Sequence, residues 1–240
     1  MIRPAAALLA FLLLLSTPAP RADAPGKEHD HDAAHQPTAT HGFEEVDRWV
    51  EVFDAESRAE WQKPEEVAAE LRLAPGMSIA DIGAGTGYFE RFFARAVGRE
   101  GKVLAVDTEP KMVAHITERA AEEKTPNVVG VLAAPDDPRL EPGSVDVVFI
   151  CNTFHHIGDR IGYIGRLGTA LKPAGIVAIV DFQKRELPVG PPLDHKLARE
   201  EVIAEFEEAG WRLARESDLL PYQYFLFFTP EPVRPRAEPR

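Results

Sequence analysis

The chain of 240 residues contains a single cysteine, Cys151, and fewer basic than acidic residues. One cysteine excludes an intramolecular disulfide framework and a zinc site built from several thiolates. The 27 basic and 39 acidic residues give a net charge of -12, so nonspecific binding to nucleic acid, which needs a basic surface, is not expected. The length suits one sizeable α/β domain with an extension.

Long apolar runs are also missing. Residues 5–15 are apolar but too short for a membrane-spanning helix, which needs about 20 such residues. With Arg3 before this run and small residues after it, the pattern predicts a signal peptide over residues 1–24. We therefore expect an exported protein, periplasmic or secreted, with no stable membrane span after processing. The alternative is a protein anchored in the membrane by an uncleaved amino terminus.

Residues 25–42 are polar and poor in apolar side chains, which predicts a disordered linker. The segment contains four histidines, His29, His31, His35 and His41. Such a tract binds zinc, copper or nickel loosely through neutral imidazoles, but no fixed spacing here enforces a tetrahedral cage. We favour a solvated linker, keep metal binding by this tract as a weaker hypothesis, and predict no other metal site.

The stretch from Asp81 to Gly87 has the sequence D-I-G-A-G-T-G, between an apolar run (77–82) and an amphipathic segment (88–97). Glycines at every second position allow a tight turn between a strand and a helix, and a close approach of the backbone to a ligand. A dinucleotide-binding fingerprint, G-x-G-x-x-G, would place its third glycine at position 88, which is Tyr. The missing glycine disfavours NAD, and an ordinary glycine-rich turn is the other alternative.

The D-x-G-x-G-x-G pattern resembles the first motif of the class I S-adenosylmethionine-dependent methyltransferases. In that family the loop holds the amino-acid part of the cofactor, with the leading acid close to it, which implies this role for Asp81. An acid suits a sulfonium and an α-amino group better than it suits a pyrophosphate. The resemblance assigns five loop residues to cofactor binding, namely Gly83, Ala84, Gly85, Gly87 and Tyr88.

Asp107 ends a short β-rich run, residues 102–106, about 20 residues after the glycine loop. An acid at the end of the second strand accepts hydrogen bonds from both ribose hydroxyls in nucleoside-binding sheets. This position supports a nucleoside cofactor without choosing between S-adenosylmethionine and a dinucleotide. We predict that Asp107, with Thr108 beside it, binds the ribose.

The third predicted strand, residues 128–132, precedes a loop bounded by prolines. The resemblance implies an acid just after this strand, bonded to the adenine amino group, but the usual position falls on Ala134. This is a departure from the family pattern. Asp136 or Asp137 would replace that acid if the loop curls back towards the cofactor.

Residues 145–151 form an apolar run that is typical of a central parallel strand covered on both faces. Asn152, His155 and His156 follow it, and ligands of open α/β sheets bind outside the carboxyl ends of such strands. We therefore expect Asn152 to contact the cofactor. His155 and His156 are candidate general bases because imidazole titrates near neutral pH. Adjacent residues rarely face one site together, so at most one is expected to be functional.

The remaining pattern supports the same fold. Amphipathic segments lie between residues 43 and 71, and L-K-P-x-G at 171–175, before an apolar run, also resembles the methyltransferase family. The resemblance implies an α/β, Rossmann-like, doubly wound sheet of seven strands in the order 3-2-1-4-5-7-6, with the last strand antiparallel and amino-terminal helices added. We predict a methyltransferase domain over residues 43–229 and a proline-rich tail at 230–240.

Two functions follow from these patterns. The first is methyl transfer from S-adenosylmethionine to a small-molecule or lipid-like acceptor, since the chain is most similar to the small-molecule group that includes the ubiquinone and menaquinone C-methyltransferases. The second is an exported binding module on the same fold without turnover, because this cofactor is made in the cytoplasm. No nucleic-acid partner is expected under either hypothesis.

Overall fold

The computed structural model describes residues 45–231. The predicted signal peptide, the linker with its four histidines and residues 232–240 of the predicted tail lie outside this range. None of the helices within residues 45–231 is long and apolar enough to cross a membrane. The predicted amino-terminal anchor falls in the part that is not described.

A seven-stranded sheet organises the fold, and its order confirms the prediction. The strands are β1 (Ser78–Ile82), β2 (Lys102–Asp107), β3 (Val128–Leu132), β4 (Val145–Cys151), β5 (Leu171–Phe182), β6 (Trp211–Ser217) and β7 (Gln223–Pro230). They lie in the order β3-β2-β1-β4-β5-β7-β6. β1 to β5 pair in parallel, whereas β7 runs antiparallel to both β5 and β6. The order reverses between β1 and β4, where open α/β sheets bind ligands at the carboxyl ends of the strands.

Helices connect and cover these strands. The α-helices of the described residues are α1 (Val46–Phe53), α2 (Glu56–Gln62), α3 (Pro64–Glu70), α4 (Glu90–Val97), α5 (Pro110–Glu122), α6 (Arg160–Ala170) and α7 (Arg199–Glu208). Local sequence explains several of their ends. Proline opens α3 and α5, where a missing N–H costs no helical hydrogen bond. The Asp159 carboxylate caps α6 by accepting from the Gly162 N–H.

The sheet separates two apolar layers. On one face the rings of Phe89 and Phe93 lie 5.1 Å and 5.2 Å from Phe149 of β4. On the other face Phe206 of α7 stacks on Phe228 of β7 with ring centroids 3.8 Å apart. Burial of these large side chains removes apolar surface from water and fixes the helices against the sheet. β4 is thus covered on both faces, as its apolar sequence predicts.

Several predicted boundaries are wrong by a few residues. α4 begins at Glu90 and not at Tyr88, because the turns of the glycine loop continue through Phe89. β5 begins at Leu171, so the L-K-P-x-G segment belongs to the strand, which shifts its register between Val145 and Val147 of β4. β7 includes Pro230, where the tail was predicted to begin.

Candidate functional site

The glycine loop leaves β1 with backbone angles that favour glycine. The φ angles are +73° at Gly83, +58° at Gly85 and +79° at Gly87, in the left-handed region where side chains with a Cβ are strained. A Cβ on Gly83 would also lie 2.3 Å from side-chain atoms of Thr153, which follows β4. Glycine is therefore required at Gly83 for two reasons, the backbone angle and the contact with the neighbouring strand end.

Hydrogen bonds to β2 fix the position of the loop. The N–H groups of Gly83 and Ala84 donate to the Val106 carbonyl at 2.8 Å and 3.1 Å. The Asp107 carboxylate accepts from the Gly85 N–H at 2.8 Å and from the Glu109 N–H at 2.9 Å. Burial raises the pKa of Asp107, and these backbone N–H groups oppose the shift.

Two carboxyl groups are buried together beneath the loop. Asp81 at 3% exposure and Glu90 at 4% have like charge, and neither Glu90 oxygen has a hydrogen-bond partner among residues 45–231. Burial raises the pKa of Asp81 to about 7. Burial, followed by repulsion from Asp81, raises the pKa of Glu90 well above its usual value. The pair therefore holds at least one proton near neutral pH.

The amino-terminal helices cover the loop through one cluster of polar contacts. The Thr86 hydroxyl donates to Asp54 at 2.8 Å, just after α1. Arg119 of α5 forms an ion pair with the same Asp54 carboxylate and donates to the Thr86 carbonyl at 3.1 Å. The ring of Phe53 lies 3.6 Å from the position that a Cβ on Gly85 would take. Together these residues attach the covering helices to the loop.

A second series of polar contacts runs from α2 to the end of β4. The Arg58 guanidinium lies 4.0 Å from the ring centroid of Tyr88, which is buried. Gln62 donates to Gln223 at 2.8 Å, and Gln223 donates to the Asn152 side chain at 2.7 Å. Asn152 has a φ angle of +55°, so its backbone is held in an uncommon conformation beside the loop.

The loop after β3 contains a tight turn, closed by two backbone hydrogen bonds between Ala134 and Asp137. Asp136 and Asp137 are both exposed, and the Asp137 carboxylate accepts from the Arg139 N–H at 2.8 Å. Thr108 is exposed as well. The adenine role of the two acids and the ribose role of Thr108 stay predictions.

His155 and His156 lie in a short 3-10 helix after β4. His155 Nδ1 lies 2.8 Å from a carboxylate oxygen of Asp181 near the end of β5, and the two side chains are 5% and 1% exposed. The other Asp181 oxygen accepts from the Phe182 N–H at 2.8 Å. The His156 ring lies 4.1 Å from that of His155, and desolvation, then repulsion from His155, lowers its pKa to about 4. No group of three or more potential metal ligands occurs within residues 45–231.

Comparison with known proteins agrees with this arrangement. A family model described as a methyltransferase domain matches residues 79–175, from β1 to the start of β5. A solved S-adenosylmethionine-dependent methyltransferase from Aquifex aeolicus is 29% identical, with a TM-score of 0.72 over 75% of this chain and 96% of that chain.

Two curated relatives are quinone-pathway enzymes by name. The 2-methyl-6-phytyl-1,4-hydroquinone methyltransferase of Synechocystis is 30% identical over 48% of this chain and 35% of its own length. A ubiquinone/menaquinone biosynthesis C-methyltransferase of Idiomarina loihiensis is 29% identical over 45% of this chain and 44% of its own length. The matched region thus spans less than half of either relative.

Residues 79–175 match the methyltransferase-domain family, and the strand order and glycine loop are those of class I S-adenosylmethionine-dependent methyltransferases. The residues of the site fit this cofactor. The Asp107 carboxylate has about four lone pairs, and two of them accept hydrogen bonds from the N–H groups of Gly85 and Glu109. The other lone pairs are available to accept hydrogen bonds from ribose hydroxyls. The Arg58 Nε is buried without a partner among the described residues, and a carboxylate such as that of the cofactor's amino-acid part would satisfy it.

Several residues of the site were not predicted from the sequence. Asp181 carried a recognisable signal, an acid at the carboxyl end of a parallel strand, but its pairing with His155 depends on the register of β4 and β5. Arg58 and Asp54 had no such signal, because they lie on the covering helices outside the family's motifs. Gln62 also had no such signal, because its bond to Gln223 joins residues far apart in sequence.

Substitution of Gly83 tests the fixed position of the loop. Gly83→Ala adds both backbone strain and overlap with Thr153, so we expect a loss of about 2–4 kcal/mol in the free energy of unfolding, and cofactor binding at least about tenfold weaker. Gly143→Ala is the matched control, since φ is +62° there and nothing lies within 4 Å of the added Cβ. It should cost about 1 kcal/mol and keep binding. Urea unfolding measures the stability of the two variants, and calorimetric titration with S-adenosylhomocysteine measures their affinity. Equal losses of stability and affinity in the two variants would contradict the steric argument.

The buried carboxyl pair predicts a pH-dependent stability. The folded chain keeps the Glu90 proton above the ordinary pKa of 4.5, whereas the unfolded chain loses it, so the folded state loses stability as pH rises. Glu90→Gln removes this contribution. Its advantage over the wild type in free energy of unfolding should grow steadily as the pH rises from about 5 to about 8. Exposed Glu141→Gln is the control, and parallel pH profiles for both variants would contradict the prediction.

Proposed function

We propose that the protein transfers the methyl group of S-adenosylmethionine to a small-molecule or lipid-like acceptor, with His155 as the general base. The hydrogen bond between His155 and Asp181 is the observation that carries this proposal. It places a buried, oriented imidazole at the carboxyl ends of two paired strands, beside the reversal of strand order. The names of the two quinone-pathway relatives support a small-molecule acceptor.

Asp181 prepares His155 for proton transfer. An ionised carboxylate at Nδ1 holds the proton on that nitrogen, so Nε2 keeps its lone pair. Among the described residues no hydrogen bond reaches Nε2. The Phe182 N–H fixes the Asp181 carboxylate, and the buried position keeps the charge interaction strong. Asp181 is therefore a positioning residue, which also stabilises the imidazolium once His155 has accepted a proton.

Acceptance of one proton by His155 is the only chemical step that the proposal requires of the protein's own side chains. The bound cofactor supplies an electrophilic methyl group on a sulfonium. With the cofactor bound, Nε2 of His155 would accept the proton that the acceptor atom loses on methylation. Orientation of the acceptor contributes the larger part of the rate, and the base is needed where the acceptor is protonated at working pH.

His156 suits a different role. Its pKa of about 4 leaves it neutral at physiological pH and makes it a weak base. Its ring lies against that of His155, so a charge on one opposes a charge on the other. We propose that His156 contributes to the wall of the acceptor site and takes no proton.

Export is a separate proposal that rests on residues 1–24, outside the described part of the chain. Cell fractionation with amino-terminal sequencing of the mature protein tests it. A mature chain that lacks those residues and lies outside the cytoplasm is the expected result. Recovery of the intact amino terminus in the cytoplasm would overturn it.

The catalytic proposal is tested with cofactor tritiated on its methyl group and fractionated cell extracts. We expect label in a small-molecule or lipid fraction with the wild type and none with Gly85→Arg, which blocks the cofactor loop. His155→Gln should lower kcat by about 10²–10⁴-fold, with a residual rate that rises with pH, because hydroxide then replaces the missing base. Asp181→Asn should lower kcat less and shift the pH profile.

The controls separate catalysis from folding and from simple binding. His156→Gln should stay within a few-fold of the wild-type rate, and all of the histidine variants should bind S-adenosylhomocysteine with unchanged affinity. Equal rates for His155→Gln and His156→Gln would contradict the assignment of the base. Cofactor binding without labelled product in any fraction would favour the exported binding module instead.

A further inference from the structure

A polar groove with a volume of about 480 Å³ opens between the segment after β5, the start of α7 and the β6–β7 hairpin. Its walls include Lys184, Arg199, Glu216, Asp218 and Tyr224. The size lies in the range of small-molecule sites, about 300–1,000 Å³. None of these residues belongs to the glycine loop or to the ribose position, so the cofactor does not account for the groove.

Tyr224 connects this polar groove to the proposed base. It lies directly opposite Asp181 in the antiparallel pairing of β5 and β7, and opposed residues of such a pair point to the same face of the sheet. Asp181 in turn lies 2.8 Å from His155. Tyr224 therefore lines the groove and lies opposite Asp181, the partner of His155.

The Tyr224 hydroxyl is an unused hydrogen-bonding group. Tyr224 is 4% exposed, and its hydroxyl has no partner within residues 45–231. Burial raises its pKa, so the group remains a donor at any physiological pH. A buried polar atom without a partner is costly, and a hydroxyl or amine of a ligand in the groove would satisfy it.

The charges of the groove select against anions. Arg199 is held by Glu216 through two hydrogen bonds of 2.8 Å and 2.5 Å, and Lys184 lies 3.3 Å from Glu201. Both cations are thus already neutralised. Asp218 has no ion-pair partner among the described residues. The uncompensated charge of the wall is negative, which favours a ligand that carries an ammonium group.

We propose that the polar groove binds the part of the methyl acceptor remote from its reacting atom, which itself lies at His155. The acceptor is then a hydroxylated small molecule that carries an amino group, with the Tyr224 hydroxyl bonded to its polar atoms. This inference rests on the proposed function and narrows its substrate class. The only wholly apolar residues of the wall are Ala198 and Leu220, so an isoprenoid chain of the kind named in the quinone relatives would find little surface to bury there.

Glucosamine serves as the probe, since it has hydroxyl groups and an ammonium group on a small ring. Its binding to the full chain saturated with S-adenosylhomocysteine is measured by ligand-observed NMR at millimolar concentration, beside glucose 6-phosphate and menadiol. We expect glucosamine alone to bind. Asp218→Asn and Tyr224→Phe should each weaken binding about fivefold, whereas Glu141→Gln, outside the groove, should not change it.

The variants are chosen to keep the fold. Tyr224→Phe removes a hydroxyl that has no partner, so its free energy of unfolding should not fall, and both groove variants should bind S-adenosylhomocysteine as the wild type does. Absent glucosamine binding, equal binding by all variants, or preferential binding of the phosphate or the quinol would overturn the proposal. Groove-dependent binding without methyl transfer to any acceptor would overturn the proposed function alone.

Discussion

The attachment of the glycine loop to its two neighbouring strands is the constraint on which the rest of the structure depends. Backbone N–H groups bond the loop to Val106 and Asp107 of β2, while Gly83 lies against Thr153 after β4 with no room for a side chain. These contacts join the carboxyl ends of β1, β2 and β4 into one rigid support for the loop. Because the loop cannot shift, the Asp107 carboxylate and the histidine segment after β4 keep a fixed separation.

The two halves of the sheet carry different chemical groups at the carboxyl ends of their strands. β1, β2 and β3 provide backbone amides and carboxylates, groups suited to a cationic nucleoside, and the loop after β3 stays close to them. β4, β5 and β7 provide the His155–Asp181 pair and the wall of the polar groove. The antiparallel β7 brings the β6–β7 hairpin to the same edge as the carboxyl ends of β4 and β5. The insertion of one reversed strand thus closes the acceptor half without affecting the cofactor half.

The sequence predicted what depends on local pattern. The glycine spacing and the short apolar runs identified the loop, the strands and, with the family resemblance, their order. Interactions between distant residues were not predictable, because they depend on register and docking: His155 meets Asp181 only when β4 and β5 align, and Gln62 meets Gln223 across 161 positions. The L-K-P-x-G segment was expected to precede β5, but Leu171 already pairs with Val145 and residues 172–175 form an irregularity before the pairing resumes at Ile176.

The bond between Gln62 and Gln223 has a consequence for biosynthesis. Contacts of such high sequence separation form late, since the intervening chain must be ordered first. During synthesis from the amino terminus, α2 emerges early, but its bond to Gln223 has to wait until β7 has entered the sheet. The link from α2 through Gln223 to Asn152 is therefore completed only after translation of the last strand.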